Sequence, residues 1–161
     1  MNSLPFTMQR QLQPLWCWAA TAASVSAYYG GLLDQCAIAT KCLGMDCSLP
    51  HPPPGWSGNQ LYALNVALLQ TGHFAPPVMQ APLDFAAVQH EIDAGRPICC
   101  FIQWGPGAPL QGHFNAITGY GEGETVLVQD PSPNFGNATL PLATFRSNYH
   151  GGAWAMTFRT K

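Results

Sequence analysis

Charge is what this 161-residue chain has least of. Asp, Glu, Lys and Arg make up 9% of it, against about 25% in an ordinary soluble domain. Lys41 and Lys161 are its only lysines, and six basic residues set against eight acidic ones leave a formal charge of -2. No run of Lys or Arg can track a phosphate backbone, which excludes a nucleic-acid partner. No uninterrupted apolar run reaches the about 20 residues a membrane-spanning helix requires, so no membrane span is expected. Internal repeats, heptads and low-complexity tails are missing too. What remains is a weakly charged globule with 47% apolar residues, its polar surface supplied by Gln, Asn, Ser, Thr and backbone. The length suits one domain over residues 1–161, expected as a monomer. Leu15–Tyr29 has the length of a signal-peptide core. It begins late, has only Arg10 ahead of it and carries two tryptophans, and cleavage there would discard Cys17.

Six cysteines stand at 17, 36, 42, 47, 99 and 100. Cys36, Cys42, Cys47 and His51 read C-x5-C-x4-C-x3-H, which offers four zinc ligands but misses the tight C-x2-4-C knuckle. Buried free thiols are the first reading here and one disulfide within 36–47 the second; no metal or other cofactor is expected. Cys99 and Cys100 are adjacent, so on a strand they point to opposite faces and cannot pair with each other.

Punctuation by Gly and Pro divides the chain into a helical half, about 1–95, and a β half, about 96–161. Cys17–Tyr29 lacks Gly and Pro and stops at Gly30-Gly31, which predicts a helix. Further helices are predicted at 33–43, 59–70 and 84–94, around the loop "SLPHPPPGWSGN". "PICCFIQW", "HFNAITGY", "ETVLVQD", "ATLPLATF" and "AWAMTFR" then read as short strands of an antiparallel sheet or open barrel. The class is α+β.

Cys17 opens the first helix, and a helix N-terminus favours a thiolate, the reactive form of cysteine. A cysteine nucleophile also needs an imidazole, and the imidazole an orienting group. His51, His73, His90 and His150 fit surface or capping positions. His113 follows "GPGAPLQG" and opens a predicted strand. A hairpin about Gly121–Gly123 returns the next strand to Asp130, within carboxylate reach of His113. Trp18 suits the core, whereas Trp104 and Trp16 are candidates for substrate contact.

Gln11, Cys17-Trp18-Ala19, the histidine of "GHFNAITGYG" and the aspartate of "VQDP" stand in the order Gln, Cys, His, Asp. This order resembles the papain-like cysteine peptidases, in which a glycine and a tyrosine follow the histidine as Gly119 and Tyr120 do here. "QPLWCWAA" is similar to the AvrRpt2-type effector proteases, and "H…GY…V-x-DP" to the bacteriocin-processing C39 peptidases. Asp130 stands where papain has Asn, and "DPSPNFG" replaces the tryptophan papain carries after that residue. The resemblance implies a papain-like fold with Cys17 as nucleophile, His113 as its base, Asp130 as orienting group and Gln11 as oxyanion donor.

The implied function is hydrolysis of peptide bonds in a protein or peptide substrate. Deamidation or acyl transfer at a protein side chain, or a non-catalytic binding domain, are the alternatives. Scarce lysine would suit a bacterial effector or toxin that is secreted or delivered to a target cell, restrained by an inhibitor, immunity protein or pro-segment; without export the protein would stay cytoplasmic.

Overall fold

The computed structural model describes residues 1–47, 58–105 and 111–161. Most of the proline-rich loop (48–57), His51 with it, and part of the loop before His113 (106–110) lie outside the described residues.

Helix α1 (Cys17–Tyr28) is buried on every side from Cys17 to Ser26. Ala19, Ala20, Ala22 and Ala23 let neighbouring elements approach its whole circumference, as an all-round apolar helix demands. Helix α2 (Gln35–Leu43) begins at Asp34, whose carboxylate accepts the Ala37 N–H at 2.7 Å. It ends at Gly44 in the left-handed region, φ 67°. Helix α3 (Leu64–Thr71) starts later than the predicted residue 59. The Trp16 indole N–H donates to the Gly58 carbonyl, and that of Trp18 to the Gln60 carbonyl at 2.8 Å, so this segment is held against the two tryptophans and not in a helix. Helix α4 (Phe85–Asp93) is capped by Asp84.

Seven antiparallel strands form one sheet among the described residues. They are β1 (Asn2–Ser3), β2 (Phe74–Met79), β3 (Ile98–Gln103), β4 (Gly112–Gly121), β5 (Thr125–Gln129), β6 (Ala138–Pro141) and β7 (Ala153–Thr160). Their order is β2-β7-β3-β4-β5-β6, with β1 added to β4. Three features depart from the sequence reading, the first being the short strand β1 within the half expected to be helical. Strand β2 was hidden by Pro76 and Pro77, which lack N–H groups; it lies at the sheet edge, where prolines are tolerated. "ATLPLATF", expected to be all strand, turns after Pro141 into helix α5 (Leu142–Ser147), because its buried residues Leu142 and Phe145 are spaced for a helix.

Each sheet face carries its own core. Cys99, Phe101, Phe114, Ala116 and Phe158 pack with α1, α2 and α3. Ile98, Cys100, Ile102 and Ile117 pack with α4 and α5. The adjacent cysteines thus do point to opposite faces. Cys36 and Cys47 form a disulfide that ties α2 to the turn after it, the second of the two readings of 36–47, and are not the buried free thiols of the first. Cys42 stays a free thiol. An α+β architecture with a helical N-terminal half and an antiparallel C-terminal sheet is therefore observed.

Candidate active site

Trp16 stands at the N-cap of α1 and offers no side-chain cap, so the first turn presents its backbone N–H groups without a competing acceptor from that position. Cys17 opens that turn and is 3% exposed. His113, near the start of β4, pairs with Ile102 of β3, and the β4–β5 ladder brings Asp130 alongside it. The His113 Nε2–H donates to Asp130 Oδ1 at 2.7 Å. Cys17 is the other side chain that acts on the ring, and it favours the protonated form. With Nε2 committed to the carboxylate, Nδ1 is the ring nitrogen left for the sulfur. Burial disfavours a charge on the ring, but the hydrogen-bonded Asp130 and the neighbouring Cys17 outweigh it and push His113 up to about 9.

Asp130 is saturated. Oδ1 also accepts the Ser132 N–H at 2.8 Å, and Oδ2 accepts the Tyr149 hydroxyl at 2.9 Å and the Asn115 Nδ2–H at 3.4 Å. Burial, then the neighbouring Asp130 charge, raise Tyr149 well above the ordinary tyrosine range, so its phenol stays a donor. Aromatic rings wall the imidazole. Trp104 stacks at 6.3 Å between centroids, and Phe135 meets it edge-on at 5.7 Å.

Gln11 rides on a strap, residues 6–12, that side chains hold from three directions. The Gln129 amide accepts the Met8 N–H at 2.9 Å and donates to the Phe6 carbonyl at 2.9 Å. Ser24 Oγ accepts the Gln9 N–H at 2.8 Å. Gln35 accepts the Leu12 N–H at 3.0 Å and donates to the Arg10 carbonyl at 2.8 Å. Gln11 itself donates its backbone N–H to the carbonyl of Pro131, next to Asp130, at 3.0 Å. Its amide Nε2 donates to the carbonyls of Gln13 (3.0 Å) and Pro14 (2.6 Å), while Oε1 is buried with no partner.

Cys17, His113 and Asp130 are thus brought together, with Trp104 beside the imidazole. Trp16 is placed otherwise than at a surface: it is 4% exposed, its ring tilted against Trp18. Sequence reasoning missed Asn115, two residues after His113 on β4, Phe135, in the segment after Asp130, and Tyr149, which comes from beyond α5 with no motif to mark it. It also missed an apolar cleft of about 450 Å³ that reaches Gly112 and Phe114, either side of His113, and includes Leu61, Tyr62 and Met156. The described residues contain no cluster of metal-ligating side chains.

In fold the chain is similar to the crystal structure of the peptidase domain of Streptococcus ComA, a bi-functional ABC transporter involved in a quorum sensing pathway. The TM-score is 0.58 at 16% identity, covering 99% of this chain and 98% of that one. It is equally similar to a double glycine motif protease from an AMS/PCAT transporter in complex with the leader peptide, with TM-score 0.58, 20% identity and coverage of 99% and 94%. No curated protein matches the sequence. Residues 3–156 match the Peptidase_C39 like family, and on that match the chain belongs to this family and is a cysteine peptidase of papain-like fold.

Proposed function

We propose that the chain hydrolyses peptide bonds through Cys17, His113 and Asp130, with Gln11 and the Cys17 backbone N–H as oxyanion donors. The buried group of Cys17, His113 and Asp130, its imidazole hydrogen-bonded to the carboxylate and its cysteine at the uncapped start of α1, carries this reading. The Cys17 thiolate attacks the carbonyl carbon and the C=O electrons move onto oxygen. Collapse of this intermediate expels the amine, which takes the proton from the His113 imidazolium and leaves a thioester. Water then attacks the thioester and gives a proton to His113, and the second collapse releases the carboxylic product and restores the thiolate. Asp130 keeps the imidazole in one tautomer and orientation throughout.

Gln11 can serve the oxyanion only by releasing the Gln13 or Pro14 carbonyl, so the arriving substrate oxygen displaces an internal acceptor. An oxyanion donor of this kind contributes about 10²–10³ in rate. The apolar cleft beside Phe114 and the exposed part of Trp104 offer the surfaces an extended peptide would lie along. One neighbour in fold was solved with a leader peptide, which supports a peptide as substrate here. The Cys36–Cys47 disulfide supports work in an oxidising compartment outside the cytosol.

A peptide-library digestion read by intact mass tests the reaction. New termini are expected with the native chain and none with Cys17→Ala or His113→Ala, both retaining native far-UV circular dichroism. A +1 Da change without cleavage would assign deamidation instead.

A further inference from the structure

Asp130 is held from behind as well as by the imidazole it faces. A carboxylate bonded through one oxygen alone can turn about its last torsion, and this one is held at both. On Oδ2 the nearer donor is Tyr149, whose hydroxyl lies 2.9 Å away against 3.4 Å for the Asn115 amide, and whose residue is 1% exposed. Tyr149 belongs to neither strand that brings His113 and Asp130 together. It follows α5, in a turn closed by two backbone hydrogen bonds between Tyr149 and Gly152, at 2.8 and 3.0 Å.

That turn is tightly determined. His150 and Gly151 both adopt the left-handed region, φ 50° and 87°. Gly152 is pressed against the Trp104 ring, which a Cβ there would meet at 2.4 Å. The Tyr149 ring packs edge-on against Phe145 at 5.1 Å. The rings of Phe135 and His150 also meet the phenol edge-on, at 6.2 and 4.5 Å, so it cannot follow Asp130 if the carboxylate turns, and the carboxylate is anchored to the phenol.

We propose that Tyr149 is a positioning residue of the peptidase site, its hydroxyl fixing the Asp130 carboxylate so that Oδ1 stays opposite His113 Nε2. The inference rests on the reading of Cys17, His113 and Asp130 given above. The hydroxyl acts on Oδ2, the oxygen His113 does not use, so its effect falls on chemistry and not on peptide binding. His113 must surrender a proton to the amine and recover one from water without swinging away, and each swing that Asp130 permits costs turnover.

Tyr149→Phe keeps the ring and its packing and removes only the hydroxyl. Its kcat should fall about ten- to a hundred-fold, the scale of one hydrogen bond to a charged group, with KM changed less than about two-fold. Made in an Asp130→Ala background, the same substitution should change kcat less than about two-fold, because a residue acting through Asp130 has nothing left to act on. Full activity of Tyr149→Phe, or an equal loss in both backgrounds, overturns the positioning role and leaves the reading of the site intact. Full activity of Asp130→Ala alone overturns that reading and the role of Tyr149 with it.

Discussion

His113 sets the pH behaviour of the site. Its proton is held up to about 9 by Asp130 and Cys17 against the opposing effect of burial. The leaving amine depends on that proton, so kcat/KM should fall as pH rises through about 9. In Asp130→Asn the carboxylate charge is gone, and this alkaline limb should move down toward the ordinary imidazole value of 6.5; a pH-rate profile of both forms reads the difference. The same group links folding to pH. Its folded value is raised, so the stabilisation is complete below about 6.5 and is lost as pH climbs through about 9. Cys17, His113 and Asp130 were legible in sequence because each sits beside a signal: a helix start, a strand start, a hairpin. Tyr149 had no such signal. It reaches Asp130 only because α5 folds back, and α5 itself was hidden in a segment rich in strand formers.

Among the elements, the strap that carries Gln11 differs from the strands around it, because side chains and not a ladder hold much of its backbone. Gln35 is its most exacting support, bonding both the Leu12 N–H and the Arg10 carbonyl. Gln35→Ala leaves both groups without their partner and should cost about 1–3 kcal/mol in denaturant unfolding. Since Gln11 lies between them, kcat/KM should fall too, while alkylation of Cys17, which needs no oxyanion donor, keeps its rate. The helices were readable wherever glycine stops them, as at Gly30, Gly44 and Gly72, all at positive φ. Where the start of α3 was misplaced, the deciding interactions were indole hydrogen bonds from α1, over 40 residues away along the chain.

For the molecule as a whole, the Cys36–Cys47 disulfide is the one covalent cross-link among the described residues. Its separation of 11 residues corresponds to about 3 kcal/mol in the chain-entropy account. A chain of this size should then lose roughly 6–12 °C in Tm when the bond is reduced, or in the Cys36→Ser, Cys47→Ser double variant, as calorimetry would read. Cys99 resists alkylating reagents, since burial pushes its thiol up to about 12.

The sheet order has a further consequence, in the timing of synthesis. Strand β7 lies between β2 and β3, so residues 153–160 close a gap whose two sides were made long before. Until they leave the ribosome, β3 presents an empty edge, and β4, carrying His113, leans on a neighbour paired on one side only. Gly152, just ahead of β7, also packs against Trp104 beside the imidazole. The nascent chain therefore carries Cys17 long before the sheet behind His113 is closed, and the ability to cut waits for β7.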